Sequence, residues 1–317
     1  MLQADVCNRA QLVDAIAAFV AHKGGVDPKF VRGPVERAIS ELGESSVNSL
    51  QARLAEPSDA WSYYPRDPLA QRVHHALAGL VLREPPVVSG LANLDEIRGK
   101  GVVIVANHLS YSDANVIEVL LQQSGCGEVA DRLSVVAGPK VYSDLSRRFS
   151  SLCFGTIKSP QNEGVSTGGA SMTTREVAMA ARQTIRAAED RLRRGDAVLV
   201  FPEGTRSRSC EMQRFLPGVS RYFALPELWV LPVGICGTEH MFGIGEQTLG
   251  AARITLNIGR AMAVQSLRAA SGSDRRAFVD VLGFEVAALL PPAYQGAYER
   301  IDKPRGLSSH GSLAEPK

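Results

Sequence analysis

Two short stretches hold residues whose types and spacing suit acid–base and anion-binding chemistry. Asn107-His108-Leu109-Ser110-Tyr111-Ser112-Asp113 sets a histidine five residues before an aspartate. A carboxylate bonded to one imidazole nitrogen fixes the tautomer and leaves the other nitrogen to take a proton from a hydroxyl. Phe201-Pro202-Glu203-Gly204-Thr205-Arg206-Ser207-Arg208 places two arginines, spaced by one, after a glycine turn. Such a turn exposes backbone N–H groups, and guanidinium forks bind phosphate bidentately. His108 and Asp113 are therefore the candidate base and its orienting partner. Arg206 and Arg208 are the candidate phosphate ligands, with Glu203, Gly204 and Thr205 shaping the turn. Taken singly, each feature has a plainer reading, since an Asp before an apolar run caps helices and a His at a strand end is often just a satisfied polar group; the two stretches together favour chemistry.

These groups act together only if the elements around them deliver them to one place. Gly101 to Ala106 reads as a buried strand leading straight to His108, and Ala197 to Phe201 as another leading to Pro202. Leu228 to Ile235 and Arg253 to Ile258 predict two more. A helix turns about 100° per residue, so positions five apart lie about 140° apart and share no face. His108 thus belongs to a loop, and Asp113 to the N-cap of the apolar run Val116, Ile117, Val119, Leu120, Leu121, where its carboxylate reaches back toward the strand exit. Thr174 to Arg194 is the clearest helix, ended by Gly195. Strands alternating with helices predict an α/β fold, a mixed, mainly parallel sheet flanked by helices. Upstream, Leu12, Ile16, Phe19 and Val20 share a helical face, and Val35 to Leu54 repeats the pattern. The expected organisation is an N-terminal helical lobe over 1–80, an α/β domain over 81–300 and a flexible tail over 301–317, with a mobile loop at Gly164 to Gly169.

Composition narrows the function. The chain has 317 residues, 45% hydrophobic and 21% charged, with 35 Lys plus Arg against 33 Asp plus Glu; a balance that even argues against nucleic acid as a partner. Between Gly138 and Tyr222, however, fourteen basic residues face eight acidic ones, a local +6. Much of it is Arg182, Arg186, Arg191, Arg193 and Arg194, read as a solvated helix face; Lys140, Arg147 and Arg148 are read as a basic surface able to meet an acidic carrier. A mean hydropathy of −0.03 and no long uncharged apolar run exclude an ordinary transmembrane helix. Five scattered cysteines without a CxxC pair offer neither a zinc site nor a disulfide framework. With no secretory signal at the N-terminus, a cytoplasmic location is expected; the N-terminal helices carry few Lys or Arg and are read first as packing against the protein, and as candidates for transient docking on a membrane surface.

The histidine–aspartate pair and the Glu-Gly-Thr-Arg turn, in this order on two strands, resemble the glycerolipid acyltransferase superfamily. Its first motif matches Asn107, His108 and Asp113; its third matches Phe201 to Ser207; its fourth, a proline inside an apolar strand, is similar to Val230-Leu231-Pro232-Val233. The second motif departs: Lys158, within Cys153 to Ser159, stands where many members carry an arginine, and looks like the version in soluble plastid-type glycerol-3-phosphate acyltransferases. The resemblance implies transfer of a fatty acyl group from acyl-CoA or acyl-ACP, as co-substrate, to a hydroxyl of glycerol 3-phosphate or lysophosphatidate. His108 is then the general base and Asp113 its partner, while Lys158, Glu203, Gly204, Thr205, Arg206 and Arg208 serve the acceptor. No cofactor or metal is expected, because a thioester is already activated. A relative acting on a non-glycerolipid acceptor, or a non-catalytic lipid- or anion-binding protein, is the alternative.

Overall fold

The computed structural model describes residues 8–24, 26–56, 62–82, 84–142, 145–160, 173–241, 252–272 and 274–302. Among them the strands are β1 (Tyr63–Tyr64), β2 (Val87–Ser89), β3 (Val102–Ala106), β4 (Leu133–Ala137), β5 (Gly155–Lys158), β6 (Ala197–Val200), β7 (Trp229–Cys236), β8 (Thr255–Ile258) and β9 (Met262–Ala263). The chain divides into two units, one from Met1–Arg83, Ser134–Ala187 and Gly245–Ala251, the other from Glu84–Leu133, Ala188–Ile244 and Ala252–Lys317. The fold is α/β, with mixed strand pairing in each unit.

In the second unit the strand order is β6-β3-β7-β8-β2, with β9 also on β7. β3 is β-branched at Val102, Val103, Ile104 and Val105 and buried along its whole length, as a strand covered on both faces must be. It pairs in parallel with β6, from Val102↔Ala197 to Val105↔Val200, and with β7, from Val102↔Trp229 to Ala106↔Val233. The three strands run in one direction, β7 continuing three residues past the position opposite Ala106, and the loops that leave Ala106, Val200 and Cys236 open at the same edge, where α/β sheets hold their ligands. On its other side β7 changes partner. Trp229 and Val230 pair antiparallel with β9, and Val233 to Cys236 pair antiparallel with β8. Pro232, which has no N–H to give, stands at that changeover, and its carbonyl accepts from Gly259 N at 2.9 Å. The helix Arg275–Ala287 buries Phe278, Val279, Val281, Leu282 and Phe284. Gly283 lies against Tyr298, whose ring occupies the space a Cβ would take, and the Tyr298 hydroxyl accepts the Phe215 N–H at 2.9 Å.

In the first unit four helices, Arg9–Gly24, Pro28–Leu42, Glu44–Ala55 and Pro68–Val81, share a core that includes Leu12, Ile16, Val35, Ile39, Leu50 and Leu69. The continuous helical pattern over 35–54 is broken at Gly43, whose φ of +83° favours glycine. Asp27 and Asp67 cap helices that begin on prolines, as the proline-at-N1 preference predicts. The strand order here is β1-β5-β4, with β5 parallel to β4 and antiparallel to β1. Arg148 corrects the reading of a basic surface. It is buried, and its guanidinium donates to the carbonyls of Tyr142 at 2.8 Å, Leu54 at 3.0 Å and Glu56 at 2.6 Å, closing the end of the helix Glu44–Ala55. A buried guanidinium needs such acceptors, and these take up its Nε–H and both Nη1 hydrogens.

The arginine face of the helix Thr174–Arg193 is solvated as expected: Arg182, Arg186 and Arg193 are exposed, and Arg191 pairs with Asp196 at 2.6 Å. The loop expected at Gly164 to Gly169 and the tail from 303 lie outside the described residues. No described helix is long and apolar enough to cross a membrane.

Candidate active site

The site is built where β3, β6 and β7 end at one edge of the sheet. His108 leaves β3 two residues after Ala106, and its Nδ1 lies 2.8 Å from Asp113 Oδ2. Asp113 is the first residue of the helix Asp113–Gln123 rather than its N-cap, which is Ser112. Its carboxylate turns backward, accepting from Leu109 N at 2.7 Å and Ser110 N at 2.9 Å through Oδ2, and from the Thr238 hydroxyl at 2.5 Å through Oδ1. The carboxylate is fully buried, and each of its oxygens is held by donors. The histidine side chain keeps 18% of its surface exposed. With Nδ1–H donated to Asp113, Nε2 is the nitrogen left to accept a proton. The ring lies on Phe201, centroids 4.1 Å apart and planes 18° from parallel.

The second stretch holds the same histidine by its backbone. Glu203 Oε1 accepts the His108 N–H at 2.8 Å, and Ser207 N donates to the His108 carbonyl at 2.8 Å. Glu203 Oε2 accepts Gln213 N at 2.8 Å, so this buried carboxyl also anchors the far end of its own loop. Gly204 has φ +72°, a conformation that favours glycine, while a Cβ there would meet only the movable end of the exposed Leu216 side chain. Gly204 and Thr205 are exposed, Arg206 is half-buried and Arg208 is exposed. The Arg206 guanidinium lies over the Tyr111 ring, 3.7 Å from its centroid. His108, Asp113, Glu203 and Arg206 are thereby joined, directly or through Tyr111, into one constellation. Lys158 ends β5 in the first unit, with its Nζ 5.1 Å from the Tyr142 ring centroid and its carbonyl accepting from the Thr184 hydroxyl at 2.7 Å.

Four contributors went unassigned in the sequence. Asn107 clamps β7, donating to the Ile235 carbonyl at 2.9 Å and accepting the Ile235 N–H at 2.8 Å. Its place beside His108 was the available signal. Phe201 and Tyr111 also lie inside the two motifs, but an aromatic side chain in a loop does not announce what it will stack on. Thr238, 125 positions from Asp113, gave no signal at all. Among the described residues no group of histidines, cysteines and carboxylates has the arrangement of a metal site. The chain also spells Gly164-Val165-Ser166-Thr167-Gly168, the pattern of a hydrolase nucleophile elbow, outside the described residues.

Burial pushes the Glu203 carboxyl up to about 7; its two backbone donors oppose that shift and the nearby Asp113 adds to it. A carboxyl raised on folding stabilises the protein fully below its unfolded value, and that contribution is lost as pH rises through the folded value. Stability followed by chemical denaturation should therefore fall between about pH 4.5 and 7, by an amount on the order of 3 kcal/mol at most. Glu203→Gln, which keeps acceptor capacity for one amide and cannot ionise, should flatten that slope. A slope unchanged in the variant would assign it to other groups.

Residues 86–236 match the family model described as Acyltransferase. Among solved structures the chain is similar to the 1-acyl-sn-glycerophosphate (LPA) acyltransferase PlsC from Thermotoga maritima, with 21% identity over 85% of this chain and 89% of that one and a TM-score of 0.47. No curated protein matches.

Proposed function

We propose that the chain, whose residues 86–236 match the family model described as Acyltransferase, is a glycerolipid acyltransferase that moves a fatty acyl group from acyl-CoA or acyl-ACP to a hydroxyl of glycerol 3-phosphate or lysophosphatidate. The observation that carries this reading is the convergence on His108. The ring is oriented by Asp113, while its backbone N–H and C=O are held by Glu203 and Ser207 of the arginine-bearing turn.

The chemistry follows from that geometry. As the acceptor oxygen attacks the thioester carbonyl, its proton passes to His108 Nε2, and the imidazolium so formed lies against the Asp113 carboxylate. Collapse of the tetrahedral intermediate breaks the carbon–sulfur bond. The thiolate takes the proton back from Nε2 and leaves as a thiol, so the ester forms and the histidine is restored. Arg206 offers a planar fork to the acceptor's phosphate beside the ring, with Arg208 as a further cation and Gly204 and Thr205 exposing the turn. Lysophosphatidate is amphiphilic, so delivery of that acceptor implies contact with a lipid surface.

The test offers a panel of acceptors with one isotopically labelled acyl thioester and identifies the products by mass spectrometry. We expect label in a phosphate-bearing glycerolipid and none in the matched alcohols that lack phosphate. Turnover confined to the non-phosphate acceptors would reject the acceptor assignment, and no thioester consumption with any of them would favour a binding protein. Running the same acyl group on coenzyme A and on acyl carrier protein identifies the donor.

A further inference from the structure

We propose that Tyr111 is a positioning residue for the acceptor's phosphate, its ring carrying the Arg206 guanidinium and fixing where that cation stands relative to His108. The inference rests on the phosphate reading of Arg206. The guanidinium carbon lies 3.7 Å from the centre of the Tyr111 ring, van der Waals contact, so one face of the cation is covered. The five N–H donors of arginine lie in its own plane and point outward. A ring beneath that plane covers a face while leaving the donors at the rim for oxygens of a bound phosphate. Without such a support, an arginine two residues beyond an exposed glycine would sample many rotamers, and binding would have to order it.

The placement of the ring gives it a second property. Tyr111 stands between Ser110 and Ser112, both buried, with hydroxyl oxygens 2.9 Å apart. The Ser110 N–H is in turn held by Asp113 Oδ2. The tyrosine is thus mounted on the same short loop as the base and its carboxylate. The spacing between proton acceptor and phosphate-binding cation is set by residues 108–113, although Arg206 arrives from a different strand. This accounts for an aromatic residue at a partly exposed position within a loop otherwise engaged in holding His108 and Asp113.

The experiment measures kcat and the KM for each substrate with 1-oleoyl-lysophosphatidate and with glycerol 3-phosphate, in Y111L, Y111F, R206A and the Y111L/R206A double variant. Y111L should raise the KM of whichever acceptor turns over by about three- to thirtyfold, the range of a cation–π contact, and leave the thioester KM unmoved. Y111F keeps the face and should stay near wild type, and the double variant should be no worse than R206A alone. Y111S replaces the leucine variant should the latter not fold. If R206A raises the acceptor KM while Y111L does not, or if the two effects multiply in the double variant, the role of Tyr111 is overturned and the phosphate reading stands. If R206A itself leaves the acceptor KM unchanged, the phosphate reading fails and the role of Tyr111 with it.

Discussion

His108→Ala should lower acyl transfer by about 10²- to 10⁴-fold, the usual weight of a positioned general base, while the protein stays folded. The second half of that expectation comes from where the histidine is anchored. Glu203 and Ser207 bond its backbone N–H and C=O, and both bonds survive truncation to alanine. The side chain itself contributes its bond to Asp113 and its stack on Phe201. Single-turnover release of thiol, read beside a thermal melt, separates the two consequences. Turnover near wild type in a folded variant would remove His108 from the chemistry.

Asp113 has the second large effect, and two substitutions divide its roles. In Asp113→Asn the amide oxygen can take the place of Oδ2 and still accept from Leu109 N, Ser110 N and His108 Nδ1, while the amide nitrogen donates to the Thr238 hydroxyl, which accepts as readily as it donates. The fold and the tautomer should survive. What disappears is the negative charge behind the imidazolium, and we expect a fall of about 10²-fold or more in the acyl-transfer rate, with little change in either KM. Asp113→Ala removes every acceptor at once and leaves two backbone N–H groups and a hydroxyl unpaired in a buried site, each at about 1–3 kcal/mol. That variant should unfold well before the asparagine one in a urea titration. Equal activity in Asp113→Asn and wild type would show that orientation alone suffices.

Much of this arrangement was legible in the sequence because it is local. His108 and Asp113 are five residues apart, and helix geometry alone put one in the loop and the other at the helix start. The difference of one position, N1 instead of N-cap, arises because the carboxylate caps nothing ahead of it and instead gathers the amides behind it. β3, β6, β7 and β8 were readable from their β-branched runs. β5 was not, since Gly155-Thr156-Ile157-Lys158 opens on a glycine, ends on a lysine and holds a single aliphatic side chain. Arg148 misled for the opposite reason. A basic side chain in sequence looks solvated, and only the folded chain shows the carbonyls of Leu54 and Glu56 converging on it. Thr238 and the partner that Asn107 clamps were beyond reach, since both depend on β7 lying next to β3, a pairing of segments more than a hundred positions apart.

That pairing has a consequence for how the chain tolerates change. Asn107 seizes the main chain of Ile235 on both its polar atoms, and three residues later Thr238 meets Asp113. Sliding β7 by a single position would turn its side chains to the opposite face, strip the asparagine of its grip and withdraw the hydroxyl from the aspartate. Pro232 marks the spot where two different neighbours take over from each other along that strand, and so penalises such a slide. The alignment of two strands thus governs the geometry around His108 and Asp113, and it is written into the chain by one asparagine, one proline and one threonine outside that pair.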